Sequence, residues 1–204
     1  MLYWNMPLAV LLFTLPTVFL PAPALQQRDA NELYLAGVEH YNRGELEEAI
    51  RLLQRAAALQ PNVPDYRFSL GLAYLKAGRA RRAARELEAV RGMIGVRRAT
   101  RLKEPEVLVP MATAYMKLGN LATARDRLEL ALQRDPAFAE AYYALGLLDQ
   151  KEDREEDAVA QFQAAVEAEP DHPGANLALA QWLRGQGRLE EARERLQHAS
   201  RGAP

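Results

Sequence analysis

Few residues in this sequence could carry acid–base or metal chemistry. The 204-residue chain has three histidines, His40, His172 and His198, and none has a second ligand at metal-binding spacing. It has no cysteine, which excludes disulfides, thiol nucleophiles and cysteine-ligated zinc. The acidic clusters at 47–48 and 155–157 fall on predicted exposed helix turns, with no pocket to shift the pKa of their carboxyl groups. We therefore predict that the chain is not an enzyme and binds no cofactor and no metal.

Composition points to helices as the elements that position the remaining side chains. Apolar residues make up 49% of the chain and charged residues 26%, with a formal net charge of -1. Alanine, leucine, glutamate and arginine, which are good helix formers, dominate, and β-branched residues are sparse. An all-α protein is expected. Because general nucleic-acid binders usually show a basic excess, no nucleic-acid partner is expected.

The N-terminal segment has the features of an export signal. Residues 2–20 carry no charge, and Ala22 and Ala24 are small residues spaced as a signal peptidase site requires. We predict a signal peptide at 1–24 and a linker at 25–29, which places the polar chain in the periplasm or outside the cell. No Lys or Arg precedes the apolar core, so an uncleaved inner-membrane anchor, with residues 2–20 as the tether, stays open as the alternative.

From residue 30 the chain repeats itself, with a spacing of 34 residues in three steps and 41 in one. The copies span 30–63, 64–97, 105–138, 139–172 and 173–204, and a basic insertion occupies 98–104. Each copy has a small residue in its first half, then a glycine or Asp153, then an alanine. We predict a close helix approach, a turn with positive φ and a tight helix crossing at these positions. The crossing alanines are Ala49, Ala83, Ala124, Ala158 and Ala192.

This pattern resembles the tetratricopeptide repeat in period and residue type, over essentially all of residues 30–204. The resemblance implies an all-α, right-handed α-solenoid of five helical hairpins. It also implies that the first helix of each hairpin lines a concave groove that binds a partner protein or peptide. Some members of the family clamp a terminal carboxylate, but the clamp positions here hold Tyr34, Val38, Ser69, Glu106 and Pro110. A different ligand is therefore expected.

The groove positions implied by the resemblance are more apolar than solvation alone requires. We expect them to bind an apolar segment of a partner flanked by acidic groups, with three lysines along one edge. The alternative is that these side chains only pack between neighbouring first helices. The positions are Tyr34, Val38, Tyr41, Phe68, Leu72, Leu75, Lys76, Val109, Thr113, Met116, Lys117, Tyr143, Leu147, Lys151 and Leu177.

Charge is distributed unevenly along the repeats. The stretch 76–103 has ten basic residues against two acidic ones, and the stretch 138–171 has ten acidic residues against two basic ones. Both stretches could be solvated outer faces, or the basic one could meet an anionic partner or a lipid surface. Opposite patches also favour contact between two copies of the chain. The sequence thus leaves three hypotheses: a scaffold for envelope assembly or recruitment, a self-associating structural solenoid, and a membrane-anchored accessory subunit of an envelope complex.

Overall fold

The computed structural model describes residues 22–94 and 101–202, with only the backbone described for 22–28. The predicted signal or anchor therefore lies almost wholly outside the described residues. None of the described helices is both long and apolar enough to cross a membrane. The described residues form ten α-helices: α1 (Ala22–Asn42), α2 (Leu46–Leu59), α3 (Pro64–Lys76), α4 (Ala80–Met93), α5 (Glu104–Lys117), α6 (Leu121–Arg134), α7 (Ala139–Lys151), α8 (Glu155–Ala168), α9 (Pro173–Gly185) and α10 (Leu189–Arg201).

The helices pair in chain order into five hairpins, each of which packs against the next. The predicted all-α fold with five hairpins is confirmed. The first helix is longer than the others because it begins at Ala22, so that residues 25–29, predicted as a linker, are helical. Gln26, Gln27 and Arg28 are good helix formers, and neither glycine nor proline separates them from the first repeat.

Within each hairpin the turn adopts the predicted left-handed conformation. The φ angles are 79° at Gly44, 73° at Gly78, 77° at Gly119 and 74° at Gly187. Asp153 occupies the same position in the fourth hairpin with a φ of 58°, and no other non-glycine residue in the described part of the chain has a positive φ. A left-handed residue ends the first helix and reverses the chain within a few residues.

The predicted close approach of the two helices in a hairpin is also present. A Cβ atom placed on Gly71 would lie 2.8 Å from Leu87 Cγ, and one placed on Gly146 would lie 2.6 Å from Phe162 Cδ1. The five crossing alanines are all buried, with at most 2% of their surface exposed. Small side chains at these points let the large apolar residues of the second helix pack directly against the first helix.

The irregular step between the second and third hairpins follows from local helix signals. Helix α4 ends at Met93, just after Gly92, and α5 begins at Glu104 with Pro105 in its first turn. Glu104, predicted as the end of the insertion, is therefore the first residue of α5. At the other end of the chain, Ala192 is the one buried residue of α10. The outer face of that helix meets water, as its polar side chains predict.

Candidate functional site

The most enclosed apolar surface on the predicted groove lies between α1 and α3. A cavity of about 160 Å³ opens there, and its lining includes Tyr34, Val38, Tyr41 and Leu72 from the predicted groove set. Ser69 and Asn42 add polar groups to the lining. Four predicted groove residues from two different hairpins are thus brought together around one small pocket, which we call the groove pocket.

Aromatic stacking fixes one wall of the groove pocket. The Tyr34 ring stacks on the Tyr66 ring, with 4.9 Å between centroids. Tyr66 is buried, and this burial raises the pKa of its phenol, so the group stays neutral at physiological pH. The wall is therefore rigid and uncharged.

A lysine supplies positive charge beside the groove pocket. Lys76 Nζ lies 4.5 Å from the centroid of the Tyr41 ring and donates a hydrogen bond of 3.4 Å to the Tyr41 carbonyl oxygen. Lys76 remains exposed despite these contacts. A cation held over an aromatic ring at the edge of an apolar pocket can attract a carboxylate without being buried itself.

The middle of the predicted groove offers less accessible surface. Val109 is only 6% exposed and lies in the core, against which Phe68, Leu75 and Met116 pack while staying partly buried. Thr113 is half-buried, and its hydroxyl donates to the Val109 carbonyl oxygen at 3.1 Å. These side chains join the first helices of the second and third hairpins to each other. They hold the groove together more than they line it.

The fourth and fifth hairpins combine packed and exposed positions. The Tyr143 ring packs between Phe162 and His172, at centroid distances of 5.9 Å and 5.1 Å, and burial raises the pKa of its phenol. Leu147 and Leu177 are 37% and 46% exposed. The accessible apolar surface at this end of the groove therefore comes from the two leucines, and the tyrosine positions the helices behind them.

The two remaining groove lysines have different surroundings. Lys151 is exposed at the end of α7. Lys117 lines a second, open cleft of about 720 Å³ together with four arginines of the α3–α4 turn and α4. The three lysines thus lie along the solenoid without converging on one ligand atom, and only Lys76 borders the groove pocket.

The histidines have structural contacts that the sequence did not reveal. His172 Nδ1 accepts the N–H of Ala175 at the start of α9, and Nε2 lies 3.0 Å from Glu140 of α7. His40 contacts Glu45 in the first turn, and His198 Nδ1 lies 2.7 Å from Asp171. Within the described ranges, no group of three potential ligands could hold a metal ion. Pro173 in the sequence indicates the start of α9, because proline is common in the first turn of a helix, but histidine is not a typical N-cap residue.

A helical-repeat scaffold with an apolar groove is the class of protein that this architecture defines. Family models described as TPR repeat or tetratricopeptide repeat match residues 37–78, 109–148 and 150–204, which together make up more than half of the chain. The chain belongs to the tetratricopeptide-repeat family. Its similarity to solved repeat proteins confirms the predicted right-handed α-solenoid.

Two solved structures and one curated relative illustrate the similarity. TTC0263, a thermophilic TPR protein of Thermus thermophilus, superimposes with a TM-score of 0.70 at 24% identity, covering 86% of this chain and 92% of that one. YrrB, described as a TPR protein with an unusual peptide-binding site, gives a TM-score of 0.55 at 20% identity, covering 88% of this chain and 91% of that one. The cytochrome c-type biogenesis protein CycH of Pseudomonas aeruginosa is 30% identical over 162 residues, covering 78% of this chain and 37% of CycH. The chain spans less than two fifths of the length of the curated relatives it matches.

Proposed function

We propose that this protein is an exported scaffold that binds an apolar segment of a partner protein in its concave groove and thereby serves envelope assembly. The groove pocket is the observation that carries the proposal. It places two tyrosines and three aliphatic side chains, those of Val38, Leu53 and Leu72, around about 160 Å³, the size of one or two apolar side chains of a ligand.

The chemistry of the pocket defines the ligand further. The wall formed by Tyr34 and Tyr66 is rigid, so an inserted side chain gains contact area while little protein entropy is lost. Lys76 at the edge favours an acidic residue next to the apolar one. Leu147 and Leu177 extend the apolar surface for a longer segment. We therefore expect an extended or helical segment with an apolar anchor and a neighbouring Asp or Glu.

Two relatives support the biological setting of the proposal. CycH is a cytochrome c-type biogenesis protein, and the similarity covers most of this chain. YrrB shares the fold and is described as having a peptide-binding site. The uncharged segment 2–20 and the small residues that follow it are features of an export signal. An exported chain would meet partners that mature in the envelope.

Selection of peptides from a displayed random library against the full chain tests the groove directly. The affinities of selected peptides should then be measured for Val38→Ser with Leu72→Ser, which makes the pocket polar. We expect these peptides to carry an apolar anchor beside an acidic residue and to bind the double variant about tenfold or more weakly, because their anchor loses its apolar contacts. The matched control is Leu35→Ser with Leu59→Ser, since both leucines are exposed and neither lines the pocket.

Circular dichroism should show that both double variants remain helical. If the selected peptides bind the pocket variant as tightly as the wild type, the groove pocket is not the binding site. Lys76→Gln provides a second readout, because it should weaken only peptides that contain an acidic residue, and this effect should shrink as salt is added.

The proposed export is tested by the N-terminus of the protein recovered from cells. A chain that begins at Leu25 has been cleaved and released, whereas one that begins at Met1 and stays with the membrane fraction is anchored. Recovery of an uncleaved chain in the soluble cytoplasmic fraction would contradict both forms of the proposal. The scaffold function would then have to be sought inside the cell.

A further inference from the structure

The turns inside the hairpins line one edge of the solenoid, which we call the turn edge: residues 43–48, 77–82, 118–123, 152–157 and 186–191. Contacts connect neighbouring turns. An ion pair of 2.6 Å joins Arg79 to Glu47, the cleft described above lies between the second and third turns, and an ion pair of 2.7 Å joins Arg125 to Glu152. The first four turns therefore follow one another along a continuous surface.

The second turn and the part of α4 that follows it carry unpaired positive charge. Arg81 and Arg85 line the 720 Å³ cleft, and neither contacts an acidic side chain in the described part of the protein. Arg82 lies beside them with its guanidinium 5.8 Å from the Tyr74 ring. When the repeats are aligned, the residue of the first hairpin that corresponds to Arg81 is Glu47.

Helix stability does not explain these arginines. The fourth and fifth hairpins also have a glutamate at the position of Arg81, namely Glu156 and Glu190, and acidic residues at the start of a helix interact favourably with its dipole. Helix α4 has no acidic residue in its first turn. The arginines therefore oppose the local preference, which indicates that they meet an anion from outside the chain.

The fourth turn carries unpaired negative charge. Asp153, Glu155 and Glu156 are exposed, and the described residues place no cation in contact with them. The other acidic residues nearby are compensated within the chain. Asp149 is 2.6 Å from both Arg125 and Arg154, and Glu152 contacts the same two arginines.

The two charged turns are placed symmetrically about the third hairpin. With about 10 Å between neighbouring helices, they lie about 20 Å apart along the turn edge. That separation exceeds two Debye lengths at physiological ionic strength, about 8 Å each, so the two charges hardly neutralise each other within one chain. If a second copy is rotated by 180° about an axis through the third turn, each basic turn faces an acidic turn, and this contact occurs twice.

An apolar residue stands at the position of that axis. Leu118 in the third turn is 42% exposed. The same register position holds Arg43, Ala77, Glu152 and Gln186 in the other hairpins, so Leu118 is the large apolar residue of the set. Near a two-fold axis it would meet its own copy, and two exposed leucines would bury each other.

We propose that the protein forms a two-fold symmetric homodimer through its turn edge, in which Arg81 and Arg85 of each copy contact Glu155 and Glu156 of the other. Leu118 packs against its symmetry mate at the centre. The interface uses no residue of the groove pocket, so the proposal is independent of peptide binding in the groove.

The absence of cysteine from the chain allows a direct test of the axis. Leu118→Cys should give a covalent dimer on oxidation or with a short bismaleimide, because the two thiols come close only at a symmetry axis. Leu59→Cys is the matched control, since Leu59 is 41% exposed and lies at the far end of α2, away from the turn edge. The full chain is used, in a mild detergent that keeps residues 2–20 soluble.

Charge reversal tests the two lateral contacts. In the Leu118→Cys chain, Arg81→Glu with Arg85→Glu should lower the yield of cross-linked dimer about tenfold, and so should Glu155→Arg with Glu156→Arg. Mixing the two variants, one of them with a larger tag, should restore a cross-linked heterodimer, because both contacts then join opposite charges again. Arg55→Glu with Arg201→Glu changes the net charge by the same amount outside the turn edge and should have little effect.

The cysteine-free chain gives the remaining outcomes in analytical ultracentrifugation. We expect a dimer at low salt that dissociates near 1 M salt, where the Debye length falls to about 3 Å. A monomer at every ionic strength, or assemblies that keep growing with concentration, would overturn the two-fold dimer. So would equal cross-linking of Leu59→Cys, or failure of the mixed charge variants to associate while both remain helical.

Discussion

The contact between Gly146 and Phe162 allows a sharp test of how the hairpins pack. A Cβ atom on Gly146 would lie 2.6 Å from Phe162 Cδ1, whereas ordinary van der Waals contacts begin at 3.4 Å. In Gly146→Ala the ring must therefore move by about 1 Å within a core where Phe162 is 1% exposed. Overpacking of this kind costs about 1–3 kcal/mol, and the better helix propensity of alanine returns about 1 kcal/mol. Because the ring is enclosed, the overpacking cost should lie near the upper end of that range, about 2–3 kcal/mol, and we expect a net loss of about 1–2 kcal/mol.

The third hairpin shows how the same site accommodates an alanine. There Ala112 and Leu128 occupy the positions of Gly146 and Phe162, and both are fully buried. Phe162→Leu alone should cost about 1–2 kcal/mol because it leaves a cavity. In the double variant Gly146→Ala with Phe162→Leu, the added methyl group fills part of that cavity. The loss of stability should therefore be smaller than the sum of the two single losses, by at least about 1 kcal/mol.

Urea unfolding, monitored by far-ultraviolet circular dichroism, measures these differences. Where the dependence of the free energy of unfolding on urea concentration is unchanged, a shift of the unfolding midpoint gives the change in stability. Gly92→Ala is the control, since a Cβ atom there meets nothing within 4 Å, and it should raise stability by up to about 1 kcal/mol. The packing argument fails if Gly146→Ala is as stable as the wild type, or if the two substitutions are simply additive.

Three further substitutions probe other parts of the fold. Ala158→Leu at a buried crossing should overpack the fourth hairpin and cost about 1–3 kcal/mol in the same urea titration. Asp153→Gly should raise the thermal midpoint, with a gain of about 0.5–1 kcal/mol, because glycine adopts a φ of 58° without a steric penalty; no change or a loss would refute this. His172→Ala removes the N-terminal cap of α9 and should lower the free energy of unfolding by about 1–2 kcal/mol. His198→Ala removes a more exposed ion pair and should lower it by less than about 1 kcal/mol. Equal losses of stability in the urea titration would contradict this difference.

The hairpins could be predicted from the sequence because their geometry has narrow residue requirements. Few side chains are allowed at three kinds of position: a turn residue in the left-handed conformation, a helix approach that leaves no room for a Cβ atom, and a buried helix crossing. Gly44, Gly71 and Ala49 satisfy these requirements in turn. When such residues recur every 34 positions, they define the register of the whole solenoid.

The accessibility of the groove could not be predicted in the same way. Register gives the direction in which a side chain points, but it does not say how closely the next helix approaches. Tyr143 is partly covered because Gly174 in α9 lets its ring come so near that a Cβ atom there would lie 2.9 Å from Tyr143 Cε1. Leu147, one turn further along α7, is left exposed.

Charge shows the same limit at longer range. The sequence counts Asp149 with the acidic stretch, but in the structure it is buried between Arg125 and Arg154. Arg125 is 24 residues away and comes from the preceding hairpin. Counting charges along the chain therefore overstates the free acidic charge, to which Glu155 and Glu156 in the fourth turn contribute.

A protein built from five similar hairpins contains its own controls, since each position can be compared across the copies in one molecule. Two departures from local preference stand out in that comparison. Helix α4 has arginines in its first turn, where α2, α8 and α10 have acidic residues. Asp153 occupies the turn position that holds glycine in the other four hairpins. Either one could be replaced by the residue of a sister hairpin with a gain in stability. Both lie on the turn edge, at equal distances from the third hairpin. The proposed contact with a second copy would account for both departures, because it places each of these turns opposite a turn of the other sign.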